Sequence, residues 1–364
     1  MRTRRQTTIW ICLWLCTALF CLCVVPVSQA LDVNSASNDG MTPLMRAAMN
    51  GNTEVAELLI KQGAETDAAD NRGMTSLMFA SANGYRTMVE FLIKHGARVD
   101  SVSNEGFTSL MYASANGHVD LVRVLLKSSQ VNHRTNDGRT ALGLASLRGY
   151  KEVVDLLIDH GADPNVRTGT DTPLMSAAEN GFTEIVEKLI KKGARIDERN
   201  NMGVTALMRG AGRSKANAVR ALINASATID LRDNSGKTAL MYAAAAGHAE
   251  TCKLLLDKKA SVTLRDSVNG HSALMGAVNS GQVEVIRLLI GAGSDLDTRS
   301  NNGQTSLMLA SLRGYREIIE FLISVGADVN AVTFTGQSAL SLASASNHPE
   351  VVKILKAKGA SLAE

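Results

Sequence analysis

Along most of the chain the apolar positions fall into short helical stripes that restart at a fixed interval. Leu44, Leu77, Leu110, Leu142, Leu174, Leu207, Leu240, Leu274, Leu307 and Leu340 each follow a Thr/Ser-x pair, in steps of 33, 33, 32, 32, 33, 33, 34, 33 and 33 residues. With each helical residue turning about 100°, an anchor leucine shares a face with the residues three and four after it, Ala47 and Ala48 in the first unit. A second stripe follows, supplied by Val55, Leu58, Leu59 and Ile60. Each predicted helix has fewer than about three turns and cannot persist alone, so it must pack on adjacent units. The pattern specifies a stack of ten units. Whole phrases recur with it: ASLRGY occupies Ala145 to Tyr150 and returns at Ala310 to Tyr315.

The polar positions punctuate the same frame. Glycine stands four before the anchor in nine units, usually after Asn-x, which is the chemistry of a tight turn with positive φ. Thr or Ser stands two before the anchor in all ten, followed in two by Pro43 and Pro173, and this predicts an N-cap and first helical residue. Glycine recurs seven after the anchor in eight units and nineteen after it in seven, as expected where left-handed residues end two helices. Unit six departs most, with Ser214 and Ser226 at those two positions and Gly210 inside its first helix, so a soft joint is expected there. Unit three loses a residue around Ser128-Ser129-Gln130, and its exit turn is expected to be irregular. Sixteen after the anchor nine units have Ile or Leu and the last has Lys356, a charge where no further unit needs an apolar face. At the other end, Leu31-Asp32-Val33-Asn34 has the pattern of a unit's exit.

Asp39-Gly40-x-Thr42-Pro43-Leu44-x-x-Ala47-Ala48-x-x-Gly51, followed by Leu58-Leu59-Ile60-x-x-Gly63-Ala64, resembles the ankyrin repeat. The resemblance extends over residues 32–364 and implies an all-α repeat solenoid of about ten stacked repeats, each a hairpin tip plus two antiparallel short helices. One domain spanning 31–364 is expected. The family usually has His after the anchor leucine. Here Met45, Met78, Met111, Met175, Met208, Met241, Met275 and Met308 stand there, with Gly143 and Ser341 in the other two repeats. That change calls the family's hydrogen bonding between neighbouring loops into question.

The first thirty residues break the pattern and are read separately. Three arginines without an acid precede an uncharged run from Ile9 to Val25, and Val27-Ser28-Gln29-Ala30 places small residues before a cut. This is the order of a secretory signal peptide, cleaved after Ala30, and it predicts a secreted or periplasmic protein; the alternative is retention as an N-terminal anchor. Cleavage takes away three arginines, both tryptophans and four of five cysteines, leaving 35 residues of each charge sign and Cys252 alone. A neutral remainder indicates neither a nucleic-acid footprint nor a polybasic membrane surface; no stable membrane insertion is expected after signal removal, and no intramolecular disulfide can form.

Reaction centres are not legible. Gly236-Lys237-Thr238 resembles the end of a phosphate-binding loop, but Leu231 stands where its first glycine belongs. The seven histidines form no metal pattern, and His118, His248 and His348 share one register, eight after the anchor, where a solvated or capping role is expected. Cys252 falls on an apolar register and is expected in the core. The expected function is therefore a non-enzymatic scaffold that binds another protein and needs no cofactor; a metal or redox-stress protein using the methionine row is the alternative. The family resemblance places recognition on the concave hairpin and first-helix surface. There, repeats two to four present Met74, Phe79, Phe107, Tyr112, Leu144, Leu147 and Arg148, a composition typical of interface hot spots. Repeats five and six present mainly Asp171, Ser176, Glu179, Arg209 and Arg213.

Overall fold

The structure, a computed structural model, describes residues 32–361, so the expected leader and cleavage site lie outside the described residues. Twenty helices follow in ten pairs, from Pro43–Met49 with Thr53–Lys61 to Ala339–Ala345 with Pro349–Ala357. Among the described residues there is no strand, only isolated bridges such as Ala69 to Thr75 and Val332 to Ser338 that close hairpin tips. None of these helices is long and apolar enough to cross a membrane. The chain divides into two compact units, one up to Asn104 with repeats one and two, the other from Glu105 with repeats three to ten.

Each first helix begins as the sequence predicts. In all ten repeats the Thr or Ser side chain accepts the N–H of the third helical residue, at 3.1–3.4 Å. In eight repeats that third residue is the methionine of the row. In four repeats the thioether of Met45, Met175, Met208 or Met308 receives the N–H of its cap residue at 3.4–3.5 Å, so sulfur closes a reciprocal capping box. Ser341 does the same through its hydroxyl, at 2.9 Å from the Ser338 nitrogen. Gly143 is the exception for a steric reason: a side chain there would collide with Thr168 of the next repeat.

The helix ends keep their backbone shape even where glycine is missing. Positions seven after the anchor all have positive φ, from Gly51 at 69° through Ser214 at 59° to Asn347 at 58°. The four non-glycine residues with positive φ among the described residues are Ser214, Ser226, Lys259 and Asn347, all at these cap registers. An L side chain in this conformation costs about 1 kcal/mol, and Asn bears it best. Two of the four lie in repeat six, whose first helix, Ala206–Ala211, has six residues and is the shortest described. Gly210 within it sits close to Val219 and the Ala178 carbonyl, so its absent side chain lets the helices approach.

Anchor leucines and the alanines after them form the core: Leu44, Leu142, Leu274, Ala48, Ala145 and Ala277 are all buried. Within each unit, first helices pack on first helices of adjacent repeats and on their own second helix, while second helices touch each other more sparingly. The first repeat corrects one expectation. Val55 and Leu58, assigned to the core, are 40% and 61% exposed, whereas Met88, Val153 and Val285 at the Val55 register are at most 1% exposed. No helix precedes repeat one among the described residues to cover them. At the other end Lys356 is exposed, as its charge requires.

Hydrogen bonds between repeats survive the loss of histidine because the hairpins supply their own. In the first unit the Asn71 N–H donates to the Asp39 carbonyl at 3.1 Å, while its side-chain amide donates to Asn38 at 3.0 Å. In the second, Asn234 and Asn301 repeat the arrangement on Met202 with Asn201 and on Asn269 with Val268. A row of arginines adds a rung per repeat there: Arg199 donates to the Arg232 carbonyl, and Arg232 to that of Arg265, at 2.6 and 2.7 Å. At the exits, Asn165 accepts from the Arg195 N–H and donates to the Gly193 carbonyl. Asn34 makes the equivalent pair with Glu65 and Gly63, as its exit-like sequence predicts.

Candidate functional site

The hairpin and first-helix face is built from the residue three before each anchor and those two, five and six after it. In the first unit, Met74 and Phe79 are on the expected elements but inside, 8% and 6% exposed, with the Arg72 guanidinium 5.8 Å from the Phe79 ring centre. In the second, Phe107 and Tyr112 are half-buried and stacked, ring centres 5.2 Å apart, and Arg139 lies 5.8 Å from the Phe107 ring. Leu144 is buried, whereas Leu147 and Arg148 are exposed. Met74, Phe79 and Leu144 therefore have little surface to offer a partner. A side chain two after the anchor leans along its helix rather than straight out, which one-repeat register counting misses.

Repeats five and six carry a paired charge network. Arg209 reaches Asp171 at 2.7 Å and Glu179 at 3.6 Å, Arg213 reaches Glu179 at 3.0 Å, and the Asn200 amide donates to Asp171 at 2.7 Å. The arginines of repeat six are thus neutralised by acids of repeat five.

Repeats seven and eight enclose a hollow of about 440 Å³. Its floor is nearly free of side chains, with Ala245 and Ala246 from one first helix and Gly276 from the next, and its walls include Tyr242, Lys237 and His271. The Tyr242 hydroxyl donates to Asp233, and burial together with that bond pushes its pKa up to about 12. Burial works to raise Asp233, but hydrogen bonds from Tyr242, Ser235 and the Lys237 backbone outweigh it and hold the carboxyl below its ordinary range. His271 is lowered, mainly by burial, so it is neutral at pH 7. Sequence reasoning passed this place over. Its signal was the run of small residues in Ala239–Ala246 and Ala273–Asn279.

The other chemical candidates have structural explanations. Gly236 turns a hairpin at φ 81° and Thr238 caps a helix, so the loop-like triplet has two ordinary structural roles. His248 and His348 occupy the N-cap positions of second helices, but their side chains make no capping bond; their Nε2 atoms donate to the Gly212 and Leu312 carbonyls of the preceding repeat, at 3.2 and 3.1 Å. Cys252 is fully buried, and burial pushes its thiol up to about 12. The methionines of the row are buried, one in each of eight repeats. Among the described residues no group of three or more His, Cys, Asp or Glu converges as a metal site would require.

Comparison with known proteins supplies one family. The model described as Ankyrin repeats (3 copies) matches residues 15–103, 95–168, 174–266, 210–300 and 274–363. No curated protein matches the chain significantly.

Proposed function

Because the chain belongs to the ankyrin-repeat family, we propose that it is an exported, non-enzymatic scaffold that holds a partner protein on its hairpin and first-helix face. One observation carries the reading: the frame repeats while its decoration does not. The registers three and four after the anchor are filled almost wholly by Ala, Ser or Gly, but two after it stand Arg46, Phe79, Tyr112, Leu144, Ser176, Arg209, Tyr242, Gly276, Leu309 and Leu342. Phe79, Leu144, Ser176, Leu309 and Leu342 of that series are buried, and the accessible rest, Arg46, Tyr112, Arg209, Tyr242 and Gly276, still differs from repeat to repeat, as suits recognition of one particular surface. Within the second unit, half-buried Tyr112 and the hollow of repeats seven and eight are accessible places in that series, and Leu147 and Arg148, five and six after their anchor, add exposed surface.

A photocrosslinking residue introduced at Leu147, at Ala245 or at Glu187 on the outer side of a second helix tests this. Crosslinks to one protein from the first two positions and none from the third are expected. Equal crosslinking from Glu187, or none anywhere in the native host, would sink the reading. Export rests separately on the leader, and an intact mass beginning at Leu31 is its test.

A further inference from the structure

We propose that Asn269, at the hairpin tip of repeat eight, is a site of spontaneous covalent modification, where the side chain closes on the backbone nitrogen of Gly270 and is converted to aspartyl and isoaspartyl products. The chemistry is independent of which protein the scaffold holds.

The site originates in spacing. Leu240 and Leu274 stand 34 residues apart, and the additional residue lies in the hairpin, where Asp266-Ser267-Val268-Asn269-Gly270-His271 replaces the Asp233-Asn234-Ser235-Gly236-Lys237 of repeat seven. In the repeats on either side the turn glycine closes the hairpin: the Gly236 N–H donates to the Asp233 carbonyl and the Gly303 N–H to that of Ser300, both at 2.9 Å. The longer hairpin of repeat eight closes otherwise. The Asp266 carboxylate gathers the N–H groups of Val268, Asn269 and His271, and the Gly270 N–H is left without an acceptor among the described residues. An unpaired N–H on a buried glycine is uncommon.

That N–H singles out one Asn-Gly pair of six. With no side chain on the second residue, little hinders the approach of a glycine nitrogen to the preceding asparagine's amide carbon. In five pairs the glycine N–H is held, Gly51 to Ala48, Gly84 to Ala80, Gly117 to Ser114, Gly181 to Ala178 and Gly303 to Ser300. Asn83 and Asn180 are held at the side chain too, donating to the Phe79 and Ser176 carbonyls at 2.9 Å. Asn269 is exposed and is fixed through its backbone, by Asp266 on its N–H and by the Asn301 N–H on its carbonyl, both at 2.7 Å.

The reaction needs water alone. The Gly270 nitrogen gives up its proton and bonds to Cγ of Asn269, closing a cyclic imide; the Cγ–Nδ2 bond breaks, and Nδ2 leaves with a proton as ammonia. Nothing is oxidised or reduced. The Asn301 N–H on the Asn269 carbonyl stabilises the charge that builds on that peptide group as its nitrogen is deprotonated. Water then opens the imide at either carbonyl. One opening gives the aspartyl product, the other the isoaspartyl product, in which the main chain runs through the former side chain. Both put a carboxylate on the rim of the hollow, which Asn269 lines. The isoaspartyl product also displaces the carbonyl that Asn301 holds, so that rung between repeats eight and nine is lost.

The test incubates the folded full chain at neutral pH, digests it at mildly acidic pH and maps the peptides by mass spectrometry for the gain in mass of an amide becoming an acid. An isoaspartyl methyltransferase with a labelled methyl donor counts the isoaspartyl product. Asn269 should convert at least about fivefold faster than the other five asparagines, the factor carried by the backbone hydrogen bond that their glycines must first break. In urea all six should convert at similar rates. Deleting Val268 restores the spacing of the neighbouring hairpins and should slow Asn269 to the rate of Asn302. Should that variant not fold, the comparison of folded and unfolded parent decides in its place. Conversion of any other Asn-Gly pair as fast as Asn269 in the folded chain, an intact Asn269, or a folded deletion variant that converts as fast as the parent overturns the proposal.

Discussion

Tyr242 Oη donates a hydrogen bond of 2.7 Å to Asp233 Oδ2, so a side chain of the first-helix face is held from behind by the hairpin of its own repeat. Removing the hydroxyl in Tyr242→Phe should cost about 1.5 kcal/mol at pH 7, the worth of a hydrogen bond to a charged group. Asp233 is depressed below its ordinary 3.8 in the folded state, so its contribution is complete above that value and is lost as pH falls through the folded pKa. The difference between parent and variant in urea midpoints should therefore be full at pH 7 and shrink below pH 4. A difference independent of pH would refute the role of this bond in holding the carboxylate.

Glycine restored at the strained caps should stabilise the chain. Ser214→Gly, Ser226→Gly and Lys259→Gly are each expected to add about 0.5–1 kcal/mol, the relief of a left-handed side chain less glycine's extra chain entropy. Asn347→Gly should add least, because Asn tolerates that conformation. Chemical unfolding of the four variants gives the order directly, and a loss of stability at Ser214 or Ser226 would contradict it.

Cys252 should be silent in the folded protein and reactive once unfolded. Its thiol is raised from 9.0 to about 12 by burial, so almost no thiolate exists near neutrality. A chromogenic disulfide reagent should count no thiol in native exported protein and a single one in urea. Five would mean the leader is retained, and then tryptophan fluorescence from Trp10 and Trp14 would persist as well.

Lys356→Ile should make the last repeat adhesive. The residue is exposed at a register that holds Ile158 or Ile223 within the stack, and contiguous apolar surface favours association. Sedimentation velocity should show concentration-dependent self-association of the variant. A monomer at high concentration would mean that this lysine does not guard the end.

Much of this architecture could be read from the sequence because it depends on local chemistry repeated ten times. Threonine caps, left-handed ends and the alanine floor each act within one helix or turn, so their spacing is their structure. What escaped depends on a neighbour. Whether Phe79 is outside or Arg209 is free is decided by residues about one period away, as Asp171 and Glu179 show for Arg209. The hollow escaped for the opposite reason: it is made of side chains that are missing. The reciprocal caps of the methionine row require sulfur to accept an N–H, a role that hydrophobic patterning does not register.

The rungs that join successive hairpins in repeats three to ten also determine how this unit would fail. Each arginine or asparagine rung ties a repeat only to its neighbour, so tension along the chain is borne in series and the weakest link yields regardless of the strength of the rest. Repeat six, with the shortest helix and two left-handed serines, is the link expected to yield, on its side away from the ion pairs to repeat five. A chain stretched from its ends should part in the middle, leaving the hollow of repeats seven and eight whole on one fragment.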